Sequence, residues 1–214
     1  MYPVSFAADY AERRSRLTTF FRLILAIPHF IVLYVWGIVT LILAVIAWFA
    51  IVVTARYPAG LYGAVSRYVL YATQVVAYLT FLTDAYPAFG GSSEYPVRMT
   101  FAGPLERYSR LKTAFRFILA IPLVILRYVA GILIEVAAVF AWFVVVITAK
   151  MPRGLQDLMV LGESFTARTD AYLLLLTETY PPAREDLTAA LTGSTVEQAV
   201  PQASAPTSSG IDPG

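Results

Sequence analysis

Residues 15–58 read SRLTTFFRLILAIPHFIVLYVWGIVTLILAVIAWFAIVVTARYP, and residues 109–152 read SRLKTAFRFILAIPLVILRYVAGILIEVAAVFAWFVVVITAKMP. They align at an offset of 94 residues without a gap. Whatever this chain folds into, it is built twice. The core of each stretch is an apolar run, residues 20–53 in the first copy. As one straight helix that run is about 51 Å long, against a hydrocarbon layer of roughly 30 Å. It is too long for one comfortable crossing and just long enough for two short ones.

Charged residues make up only 14% of the chain and apolar residues 58%, with a mean hydropathy of +0.67. A soluble domain carries about 25% charged residues, so the composition places the chain in the membrane class. The sequence has no cysteine and one histidine, His29. Disulfides, thiol catalysis and Cys/His metal clusters are thereby excluded. There is no phosphate-binding glycine loop, HExxH pair or nucleophile elbow. A net charge of +2 gives no support for nucleic-acid binding. The first ten residues lack the basic-then-apolar layout of a cleaved signal, so the first apolar run is expected to direct its own insertion.

Three features predict that each run is a helical hairpin, about 16–56 and 110–150. Both ends are basic: Arg13, Arg14, Arg16 and Arg22 before the first run, Arg56 after it, with Arg107, Arg110, Lys112, Arg116, Lys150 and Arg153 around the second. Positive charge favours the cytoplasmic side, which calls for an even number of crossings or a re-entrant loop. The two copies also share their flanks, and one crossing per copy would invert the second. Finally, Gly37 and Gly131 sit at mid-run, and Arg127 and Glu135 lie four residues either side of Gly131 where the first copy has Leu33 and Leu41. A turn at the glycine would bring that pair together at the tip. Such a pair reads as an ion or proton site, or as a salt bridge stapling two arms.

Pro28 and Pro122 are expected to kink their helices. After each run, Pro58 and Gly60 (Pro152 and Gly154) break the helix, and segments 61–82 and 155–176 carry polar residues on one face. These predict amphipathic helices at the membrane surface. Alternation at 2–8 and 95–101 predicts short strands, and the later Tyr86-Pro87 and Tyr180-Pro181 are candidate partners for them. The chain thus divides into repeat one (1–89), a glycine/serine linker (90–94), repeat two (95–182) and a tail from 183 whose Ala, Ser, Thr, Pro and Gly composition predicts disorder.

Three further sets of side chains carry candidate chemistry. Arg22 and Arg116 stand one turn inside each run, placed either to bind lipid phosphate or to snorkel to the interface. The matched acids Asp84 and Glu178 each precede a Tyr-Pro; they suit a cation or acid–base site, or a turn cap or arginine partner. His29 has Leu123 as its counterpart, so it is not shared chemistry.

The repeated pattern resembles one family, domain of unknown function 4389, found in actinobacterial membrane proteins. The resemblance rests on Ser15-Arg16-Leu17, Phe21-Arg22, Ala26-Ile27-Pro28-His29, Ala47-Trp48-Phe49, Thr54-Ala55-Arg56-Tyr57-Pro58 and Leu82-Thr83-Asp84-Ala85-Tyr86-Pro87. Their second copies carry Leu123 for His29 and Lys150-Met151 for Arg56-Tyr57. It implies a multi-pass protein of a bacterial plasma membrane and carries over no activity, cofactor or catalytic residue. The expectation is an all-α membrane protein of two tandem modules with short flanking strands and both termini cytoplasmic. No catalytic, metal or cofactor-binding residue is assigned. Its expected partners are the bilayer, including anionic lipids, and a membrane protein or further copies of itself. Its expected role is a non-enzymatic scaffold or accessory subunit, with a small transporter, channel or lipid-handling protein as the alternative.

Overall fold

A computed structural model describes residues 2–181; the tail expected from 183 lies outside the described residues. The elements run β1 (Val4–Ala8), α1 (Arg16–Thr54), α2 (Ala59–Leu79), β2 (Val97–Phe101), α3 (Arg110–Ala114), α4 (Arg116–Thr148) and α5 (Arg153–Leu173). The repeat is visible in every helix: α1 corresponds to α3 plus α4, and α2 to α5.

The expected turn at mid-run is absent. Residues Arg16–Thr54 form one helix of 39 residues that passes through Gly37, and α4 passes equally through Gly131. One isolated glycine costs a helix only about 1 kcal/mol, and neither glycine has a second turn-forming neighbour. Pro28 and Pro122 lie inside their helices. The reversal falls instead at the Pro58 and Pro152 breaks, after Ala55 and Ala149 cap the long helices in the left-handed region at φ 58° and 57°. α2 then returns antiparallel along α1: Tyr68 reaches Trp36 and Gly37, Tyr71 reaches His29, and Tyr78 reaches Arg22.

The two predicted strands form, but they pair with each other rather than with the Tyr-Pro segments. β1 and β2 are antiparallel, with Val4 opposite Phe101, Phe6 opposite Met99 and Ala8 opposite Val97. Tyr86 instead donates to the Leu25 carbonyl at 3.1 Å and packs on His29. The ribbon rests on α2 and α5, which contact each other and pack in turn on α1 and α4. Val4, Phe6, Val97 and Met99 are buried on its inner face, where they join Val65, Val69 and Met159 in the core.

Only some of the polar residues of α2 and α5 lie on a solvated face: Arg67 and Asp157 are exposed, whereas Gln74, Gln156, Glu163 and Arg168 are buried. Gln74 donates to the Ser92 and Val97 carbonyls at 2.6 and 3.2 Å and accepts from the Ser92 N–H at 3.0 Å, tying α2 to the linker and to β2. Gln156 accepts from Arg14 at 3.0 Å. Gln156 also donates to the Asp9 carbonyl at 3.3 Å, so both glutamines satisfy backbone groups that burial would otherwise strand.

α1 and α4 meet the rest through small side chains: Ala26, Ala47, Ala120 and Ala141 are at most 5% exposed. Small residues let helix backbones approach closely. In the two repeats, the counterpart positions Tyr68 and Gly162 meet their long helices at different places. In the first, Tyr68 of α2 sits against Gly37; in the second, Gly162 (the counterpart of Tyr68) lies under Ile134, where an added Cβ would fall 2.6 Å from Cγ1. Gly162→Leu is therefore expected to lose roughly 1–3 kcal/mol by overpacking. Gly131→Ala, which meets nothing within 4 Å, should gain about 0.5–1 kcal/mol of helix stability. Thermal unfolding followed by circular dichroism in detergent checks both signs.

Candidate functional site

The largest fully buried side chain is an arginine, Arg22. Its position follows from how α2 ends. Leu82 N–H donates to the Ala77 carbonyl at 3.0 Å and Phe81 N–H to the Tyr78 carbonyl at 3.3 Å, with Phe81 in the left-handed region at φ 65°. That is a Schellman C-cap, made with phenylalanine where glycine is usual. The guanidinium of Arg22 donates to the Tyr78 carbonyl and, at 3.1 Å, to that of Thr83, while Nη2 reaches Asp84 Oδ1 at 2.5 Å. The rings of Tyr78 and Phe81 cover its faces at 4.5 Å. A cation belongs here, because the C-terminal carbonyls of a helix carry partial negative charge.

Asp84 also accepts from the Ser15 N–H at 2.7 Å, beside the N-cap of α1. One carboxylate thus joins the start of the long helix to the end of the returning one. Repeat two copies this arrangement. Arg116 donates to the carbonyls of Tyr172 and Thr177 under the Tyr172 ring, and Glu178 accepts from the Ser109 N–H at 2.7 Å. Leu175, the counterpart of Phe81, is again left-handed at φ 67°.

Arg22 and Arg116 are 1% and 3% exposed. With their guanidinium groups turned to internal carbonyls, they are not the lipid-phosphate contacts that their position one turn inside each run suggests. Asp84 and Glu178 lie in separate repeats, each bound to its own helix start, and do not form one cation site.

Arg127 does not meet Glu135. With no turn at Gly131, the two lie along one helix. Arg127 instead forms a bidentate pair with Asp170 of α5, at 2.7 and 2.9 Å. Glu135 is exposed and forms no ion pair among the described residues. The overlooked residue is Glu163, which lies about two turns before Asp170 and is 3% exposed. Its Oε2 accepts from Thr166 at 3.5 Å and its Oε1 has no partner. His29 is buried too, bonded through Nδ1 to the Tyr71 hydroxyl at 2.6 Å and stacked on Phe89. Its counterpart Leu123 faces Phe165, the counterpart of Tyr71. A polar pair in one repeat is an apolar pair in the other. Among the described residues no three acidic or histidine side chains are grouped to hold a metal ion.

The family model described as Domain of unknown function (DUF4389) matches residues 16–90 and again 110–184. The chain belongs to that family. Each DUF4389 copy holds its own capping arginine, helix end and acid, so the arginine cap lies wholly within the family unit. No curated protein and no solved structure matches the chain.

Removing Arg22 leaves buried carbonyls and Asp84 without their cation. Arg22→Leu is expected to cost roughly 3–5 kcal/mol, and more than Arg116→Leu, which loses no carboxylate within bridging distance. Unfolding in detergent, with Arg22→Lys as a partial rescue, checks this ordering.

Burial pushes the Glu163 carboxyl up to about 8; the Asp170 charge adds to the effect, while Thr80, Thr166 and Arg127 oppose it. A carboxyl raised above its unfolded value of 4.5 favours the neutral form in the fold. It costs nothing below that value, and stability falls as pH rises toward 8. Glu163→Gln should remove this slope and stabilise the protein most at pH 8 and above, as melting temperatures across pH 4.5–9 will show.

Proposed function

We propose that the chain is an integral protein of the plasma membrane that works as a non-enzymatic scaffold or accessory subunit. One observation carries the reading: α1 and α4, the two helices long and apolar enough to cross a membrane, turn large apolar side chains outward along their whole length. Leu17, Leu23, Tyr34 and Val53 of α1 are 68–72% exposed, and Phe117, Tyr128 and Ile147 of α4 are 70% exposed. Continuous apolar exposure on this scale calls for a lipid or protein covering. The polar groups point the same way. Arg22, Arg116, Asp84, Glu178 and His29 are all engaged in holding helices together, which leaves them poorly placed for turnover. Partners within this reading are the bilayer itself, a membrane protein seated on the apolar faces, or further copies of the chain.

A second reading, lipid handling or transport, draws on the buried Glu163 beside Arg127 and Asp170, because ionisable groups within membrane helices mark ion and proton paths. Purification in mild detergent followed by native mass spectrometry separates the two. The scaffold reading expects a stoichiometric protein partner retained by wild type and Glu163→Gln alike. A homo-oligomer holding defined lipids, with those lipids lost in Glu163→Gln, would overturn it in favour of transport.

A further inference from the structure

The strand register contains a symmetry element. Val4 and Val97 are counterparts, so the pair Val4–Phe101 maps onto Ala8–Val97, and Phe6 faces its own counterpart Met99. A two-fold axis therefore passes between Phe6 and Met99. Other contacts obey it: Arg14 N–H donates to the Ala149 carbonyl at 2.9 Å, and the counterpart Tyr108 N–H donates to Ala55 at 2.8 Å. The same operation sets α1 antiparallel to α4. The start of α1 meets the end of α4, where Arg16 donates to the Ile147 carbonyl at 2.8 Å; the end of α1 meets α3, where Trp48 donates to Thr113 at 2.9 Å.

We infer that the DUF4389 pair enters the bilayer from one face, with the two-fold axis along the membrane normal and α1 and α4 lying along a single leaflet without crossing it. This rests on the membrane reading above and specifies its geometry. If the axis lay in the membrane plane instead, α1 and α4 would cross in opposite directions with the ribbon at mid-depth. The exposed Asp9–Arg98 pair and the open edges of a two-stranded ribbon would then face hydrocarbon, which does not tolerate unpaired backbone. Glu135, close to the centre of α4, would be an unpaired carboxylate in the same layer.

With the axis along the normal these conflicts disappear. The molecule is layered along it: ribbon, then α2 with α5, then α1 with α4. The side of α1 opposite its buried face carries Ile24, Ile31, Ile38, Ile42 and Phe49, all exposed, and the matching side of α4 carries Ile118, Ile125, Ile132, Val136 and Phe143. At 3.6 residues per turn, Glu135 stands roughly 90° from that side, at headgroup level. Both ends of the helix pair then present exposed basic groups to one surface: Arg13, Arg16, Lys150 and Arg153 at one end, Arg56, Arg107, Arg110 and Lys112 at the other. Glu12 and Glu106 are the acids beside them. This is the charge pattern of an anionic lipid surface.

The cysteine-free chain allows a direct test. Lys112→Cys, Lys150→Cys, Ile31→Cys and Ile125→Cys are made singly in the full chain and treated with a membrane-impermeant maleimide in right-side-out and inverted vesicles. The two lysine positions should label from the same side and lose labelling from the other. The two isoleucine positions should stay protected on both sides, and a fluorophore attached there after solubilisation and reconstitution should be quenched by brominated acyl chains. Labelling of Lys112→Cys and Lys150→Cys from opposite sides, or of Ile31→Cys from the far side, would overturn one-face entry while leaving the membrane reading intact. Release of the protein by alkaline carbonate, with protection that persists in a soluble dimer, would instead overturn the membrane reading itself and assign the apolar faces to a second copy.

Discussion

Two long apolar helices are held in place by two guanidinium groups. In the bilayer setting proposed above, apolar side chains give a helix no reason to prefer one neighbour over another, because hydrocarbon solvates them as well as protein does. What fixes α2 against α1 is the demand of α2's final carbonyls for a donor, met by Arg22, with Arg116 doing the same for α5. The arginine is costly to bury and cheap once buried there, since it lies at the negative end of a helix between aromatic or aliphatic walls. Left-handed Phe81 and Leu175 accompany it: the backbone turns the carbonyls inward in both repeats, and in the first the Phe81 ring also covers the ion.

The symmetric frame carries asymmetric contents. His29 with Tyr71 becomes Leu123 with Phe165. Leu33 with Val76 becomes Arg127 with Asp170, and Val69 becomes Glu163. Each exchange changes both members of a contact together or adds a group to a site already polar. The frame of arginine, cap and ribbon stays constant, while the layer between α1/α4 and α2/α5 has diverged. Whatever distinguishes the repeats chemically lies in that layer.

Much of this was legible in the sequence, and the misreadings have identifiable causes. The repeat, the strands at Val4–Ala8 and Val97–Phe101, the helix breaks at Pro58 and Pro152, and an arginine as one of the partners open to Asp84 all follow from pattern and local chemistry; the bond from Asp84 to the helix start at Ser15 came only with the fold. The mid-run hairpin did not form because one isolated glycine costs a helix too little to break it, and no second turn-forming residue stands beside Gly37 or Gly131. The Arg127 partner was visible in principle: Asp170 changes to Val76 between copies just as Glu135 changes to Leu41. Sequence distance favoured the nearer acid, whereas antiparallel return of α5 favours the one 43 residues away. The polar positions of α2 and α5 were read as a wet face because a ribbon of two short strands gives little notice of the backbone groups it must have satisfied.

The pairing of β1 with β2 makes the two halves depend on each other. Among the described residues neither strand has another partner, so a single repeat by itself would leave its ribbon edge open and the core beneath it half covered. The linker makes this strand contact intramolecular, so it does not depend on concentration. It also frees each half from having to match itself, because a substitution in one half is not repeated across the contact.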